Sequence, residues 1–172
     1  MNNYNRTHRG ISMIKLFNVD GLPKLLDIAH YEFQFKDIND IFTAAGQILK
    51  LSQEWEKAYK EYAELKGVKL NGLQNSSLNK INNELNKAKN GKIISDEEHD
   101  NLEKIIMIKN YFMHEFFLND FKPKDYDCWL ADINEELTLC YNYICEAVDY
   151  VENLIDAQLC RPIKRLTIWD KK

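Results

Sequence analysis

The chain has 172 residues, enough for one domain with a sizeable core; 45% are apolar and 12% aromatic, a composition that excludes a disordered chain. Its net charge of −4 gives no overall attraction to a polyanion, so any contact with nucleic acid has to be local. No cationic region precedes an apolar run at the N-terminus, and no run of about 18 apolar residues occurs, which predicts a cytoplasmic protein with no membrane span.

Residues 1–20 are polar and then mixed, and read as a peripheral arm with Met13 as an alternative start. Pro23 suits the first turn of a short helix from Lys24 to about Tyr31. Asp37 can cap the first long helix, in which Ile38, Ile41, Ala45, Ile48, Ser52, Trp55, Tyr59 and Tyr62 recur at three and four. Gly67 should stop it. A loop over 72–77 leads to a weaker, exposed helix that starts at Ser76 or Ser77, carries Leu78, Ile81, Leu85 and Ala88, and ends at Asn90-Gly91. Ser95-Asp96-Glu97-Glu98 is a capping box that opens a third helix to about Leu118. After a connection over 119–124, the fourth helix runs from about Tyr126 to Leu159 on a seam of Leu130, Ile133, Leu137, Cys140, Ile144, Val148, Val151 and Ile155. Arg161-Pro162 ends it, and 161–172 form a second peripheral arm with a basic tail. No strand alternation is present. The sequence therefore predicts a single all-α domain, an antiparallel four-helix bundle with a core over about 37–160, short additional helices and a C-terminal tail.

The motifs of common chemistries are missing. His114-Glu115 begins like the zinc-protease helix, but position 118 is Leu where the second histidine belongs. Asp96-x-x-His99 approaches half of a di-iron signature and has no counterpart. The six glycines do not cluster into a phosphate-binding loop. Cys128, Cys140, Cys145 and Cys160 form no C-x-x-C pair and read as lone cysteines in a reduced compartment. No metal and no cofactor is expected.

The third helix contains the one clear break in binary patterning. Setting Leu102 at zero on an ideal helix, Ile106 falls at about 40°, Met113 at about 20°, Phe116 at about 320° and Ile105 at about 300°, a core-facing arc. Lys109 falls inside that arc at about 340°, with Asn110 at about 80° and His114 at about 120° along its border. A lysine among apolar residues is costly unless it is used. Asn110 and His114 are four apart, so the amide can fix the imidazole tautomer, and imidazole can move protons near neutral pH. Lys109 can offset charge on a phosphate or oxyanion. On an ideal helix Lys109 and His114 lie about 140° apart, so they converge only through the lysine's length, a local helix bulge or a second copy of the chain. The competing reading is structural: His114 hydrogen-bonded at the bundle border, and Lys109 snorkelling past its neighbours.

Lys109-Asn110-(Tyr111-Phe112-Met113)-His114 resembles the motif of the HEPN superfamily: arginine, four to six residues, then histidine, often with Asn directly after the arginine. The Phe116-Phe117 pair after His114-Glu115 is similar to many members, and the helical layout extends a loose similarity over about 37–160. The resemblance implies a small helical homodimer with metal-independent endoribonuclease activity. His114 would be the acid/base, Asn110 its orienting partner, and Lys109 would stand at the arginine position, with two motifs meeting across the dimer. It further implies an RNA substrate, and a toxin–antitoxin or phage-defence setting with an antitoxin or other protein partner. Other members are non-catalytic modules that bind a partner protein or nucleotide. The departure is Lys109, which keeps the charge but loses the bidentate fork on phosphate. An unrelated helical bundle is the third reading.

Overall fold

The computed structural model describes residues 31–68, 77–87, 91–119 and 126–160. The expected helix at 24–31, most of the 72–77 loop, the 120–124 connection, Arg161-Pro162 and the basic tail lie wholly or mainly outside those residues. Within them the chain is an all-α bundle: α1 (Ile38–Leu65), α2 (Leu78–Asn86), α3 (Asp96–Tyr111) and α4 (Tyr126–Gln158). No helix among the described residues is long and apolar enough to cross a membrane.

Local chemistry sets the helix ends. Asp37 accepts from the Asn39 amide, and Asp40 reaches back to the Asp37 amide to complete a capping box. At the far end Gly67 has φ +70°, its N–H donates to Glu64 C=O, and the Val68 N–H donates to Ala63 C=O. This is the Schellman arrangement, in which a left-handed residue lets the chain fold back on the last carbonyls. Ser95 and Glu98 form the expected box at the start of α3. Cys160 ends α4 at φ +53°, the backbone conformation glycine tolerates best.

The seams predicted from spacing pack together, with two departures. Every α4 seam residue named above is buried, as are Ile41, Ile48, Trp55, Tyr59 and Tyr62 of α1. Ser52, the apparent break, is buried because its hydroxyl donates to Ile48 C=O within the helix. The first departure is Ile38, which is exposed at the end of the α1 seam. The second is α2. Expected to be exposed, it buries Leu78, Ile81, Asn82 and Leu85 over the nine residues Leu78–Asn86; Ala88 and the expected end at Asn90 lie outside the described residues.

The chain directions follow from contacts along the helices. Lys66, just past α1, donates to Gln158 at the end of α4, and Glu54 interacts electrostatically with Tyr141 and Cys145 midway, so the two long helices run in the same direction, unlike the first and last helices of the antiparallel bundle expected from the sequence. α3 runs antiparallel to α1: Glu98 at its start lies beside Tyr59 and Tyr62 late in α1, and Phe117 beyond its end stacks on Phe42 near the start of α1. An extended lead-in before α1 crosses α4, where Asn142 accepts from the Tyr31 amide at 2.8 Å and donates to the Tyr31 carbonyl at 2.7 Å.

A buried polar relay fixes α2. The Tyr59 hydroxyl donates to Asn82 Oδ1 at 2.8 Å, and Asn82 Nδ2 donates to His99 C=O at 3.0 Å. Asn82→Ala removes the acceptor of a buried hydroxyl and the donor to a part-buried carbonyl, so the expected loss is about 2 kcal/mol. Chemical denaturation checks this; an unchanged midpoint would show the relay to be dispensable.

Candidate functional site

The third helix does not run through its motif as an α-helix. From Phe112 to Phe116 it widens into a π-helical turn, then closes with a last α-turn at Phe117–Asn119. The turn contains His114, three residues past Tyr111, whereas Lys109 and Asn110 lie in the last turn of the regular helix. A π turn bonds i to i+5, so each residue advances around the axis by less than in an α-helix. His114 is drawn back toward Lys109, which narrows the wide separation of an ideal helix. Among the described residues, no hydrogen bond or ion pair links Lys109, Asn110 and His114.

Burial sorts these side chains. Ile105, Ile106, Ile108, Tyr111, Phe112 and Phe116 are in the core, while Lys109 and Asn110 are half-buried and His114 is exposed. Met113, placed on the core arc by an unbroken α pattern, is 38% exposed, because the π turn changes which residues beyond Tyr111 point inward. Lys109 is thus partly exposed and not enclosed in the apolar stripe.

The surface next to His114 is apolar. Phe117 and Phe42 stack with ring planes 7° apart and centroids 6.3 Å apart, and both are exposed. Phe112 and Phe116 support Phe117 from below, with Phe116 edge-on at 5.1 Å. Leu118 is 70% exposed, and Ile38 continues the face one turn before Phe42 on α1. His114 thus adjoins, along the chain, an exposed apolar margin of Phe42, Phe117 and Leu118.

Sequence reasoning missed the acids of α4. Glu136, Glu146 and Asp149 are buried among seam residues, where spacing alone reads a carboxylate as solvent-facing. Burial, with Glu152 nearby, pushes the Asp149 carboxyl up to about 6. Its Oδ1 has no hydrogen-bond partner among the described residues. Cys140 and Cys145 are buried and free as expected, and burial pushes both thiols up, which keeps them protonated and unreactive. Cys160 is exposed. Compared with known proteins, the chain matches no family model, no curated protein and no solved structure.

Proposed function

We propose that the chain is a HEPN-like, metal-independent endoribonuclease of a toxin–antitoxin or phage-defence system, acting as a homodimer. The observation that carries this reading is the π turn inside Lys109-Asn110-x3-His114, since such turns in α-helices concentrate at functional sites. In the proposed reaction the ribose 2′-oxygen bonds to the adjacent phosphorus and the bond to the 5′-oxygen breaks. One imidazole takes the 2′-hydroxyl proton and another protonates the leaving oxygen, which assigns one His114 from each protomer. Lys109 offsets the charge on the phosphoryl oxygens. Asn110 orients the substrate or the ring of the opposite copy.

The apolar margin supplies the twofold contact. Phe42, Met113, Phe117 and Leu118 surround the motif and are exposed on one copy, and apolar surface of this kind is what homodimers cover. Leu118→Lys is expected to convert the dimer to monomer in sedimentation and to remove cleavage with it. A monomeric wild-type chain would end the composite-site reading.

A second reading is favoured by the absence of a hydrogen bond between Asn110 and His114 and by a lysine in place of the bidentate arginine. It is a non-catalytic helical module that binds a partner protein or nucleotide at the same surface. Incubation of a mixed RNA pool with the protein in EDTA separates the two: cleavage supports the ribonuclease, and intact RNA favours the module.

A further inference from the structure

His99, in the opening turns of α3, has oxygen acceptors at both ring nitrogens. Nε2 lies 3.3 Å from Asn83 Oδ1, and Nδ1 lies 3.1 Å from Asp100 Oδ1. The Asn83 amide is oriented from outside this group, because its Nδ2 donates to Asn79 C=O at 2.8 Å and leaves Oδ1 facing the ring. A neutral imidazole carries a single N–H. Donated to Asn83, it leaves the Nδ1 lone pair against a carboxylate oxygen, a repulsive contact that a cation between them would relieve. Glu103, four residues on and therefore on the same side of the helix, adds a third donor. Ligand atoms of His99, Asp100 and Glu103 all lie within 4.8 Å of one another.

We propose that His99, Asp100 and Glu103 bind one divalent transition-metal ion, with Asn83 holding the imidazole in the Nε2–H form. An ion at ordinary bond lengths of about 2.1 Å from both Nδ1 and the Asp100 oxygen subtends nearly a right angle across their separation, as cis ligands do in six-coordinate sites. Metal-bound histidines regularly donate their other N–H to an oxygen that fixes the ring, which is the part Asn83 plays. One imidazole with two carboxylates suits Zn²⁺, Co²⁺ or Mn²⁺, whereas Mg²⁺ and Ca²⁺ prefer all-oxygen shells. The ring is preorganised, with its side chain only 15% exposed, and the two carboxylates stand at the surface where an ion can enter. The site lies about 15 Å along the helix from Lys109, apart from the proposed RNA site.

Calorimetric titration of the full chain with ZnCl₂ tests this, with MgCl₂ as the comparison. The expected result is one saturable zinc site that magnesium does not fill. Glu103→Gln and Asn83→Ala should each weaken it by about tenfold or more. Glu103 is exposed, so its variant tests ligation without threatening the fold. Absence of saturable zinc binding would overturn the proposal, since a proton would then suffice between Nδ1 and Asp100. Zinc binding unchanged in Glu103→Gln would overturn it equally, by placing the ion elsewhere.

Discussion

His114→Ala is expected to lower metal-free RNA cleavage by about 10²–10⁴-fold, the usual contribution of a positioned acid/base. The reasoning is local. His114 is exposed and forms no hydrogen bond with another described residue, so its removal creates no cavity and leaves no buried group unpaired. The melting temperature should stay within a degree or two of wild type, which separates lost chemistry from lost structure. Lys109→Arg should act in the opposite direction and raise cleavage, because a guanidinium fork meets two phosphoryl oxygens where an ammonium presents a point charge. A composite site adds a sharper expectation: excess His114→Ala chain mixed with wild type should lower cleavage beyond simple dilution, because each heterodimer lacks one of the two imidazoles. Cleavage unaffected by His114→Ala would remove this histidine from the mechanism.

The second large effect is on stability and depends on pH. The Asp149 carboxyl is pushed up to about 6 in the folded chain, against 3.8 as its reference value, chiefly by burial. The folded state therefore holds this proton more tightly than the unfolded state does. The stability tied to that proton is fully present below about pH 4 and is lost as pH rises through about 6. Near pH 7.5 a charged carboxylate sits buried with one oxygen unpartnered among the described residues. Asp149→Asn keeps the shape and removes the charge, so it should stabilise the protein by about 1–2 kcal/mol at pH 7.5. The advantage should vanish toward pH 4, where the wild-type group is itself neutral. Thermal melts of both proteins at pH 4, 5 and 7.5 give the test. A variant no more stable at pH 7.5 would show that water or a basic group already compensates the charge.

Much of the fold could be read from spacing and caps. Asp37, Gly67 and Ser95 mark helix ends through bonds that form within three or four residues, so the information is local and the sequence contains it. The α4 seam was equally legible, since a long helix repeats one pattern often enough to override single exceptions. Lys109, Asn110 and His114 were visible as a break in that patterning, and the caps and seams around them placed them on a helix.

What the sequence left open depended on contacts between distant segments. The burial of α2 rests on Tyr59 and on the His99 carbonyl, which lie 23 and 17 residues from Asn82, so nine residues rich in asparagine read alone as a solvated helix. The π turn was anticipated only as one way of bringing Lys109 toward His114. It lies where Phe117, packed on Phe112 and Phe116, meets Phe42 across the bundle, and no single-helix periodicity encodes that meeting. The buried acids of α4 have the same origin: on one helix they occupy polar positions, and only the packing around α4 takes them out of water. Short-range bonds and repeated apolar spacing determined the helices, because each is satisfied within a few turns of one chain segment. The orientation of the site, the fate of α2 and the charge inside the bundle were decided by tertiary packing, because desolvation depends on what every other helix covers.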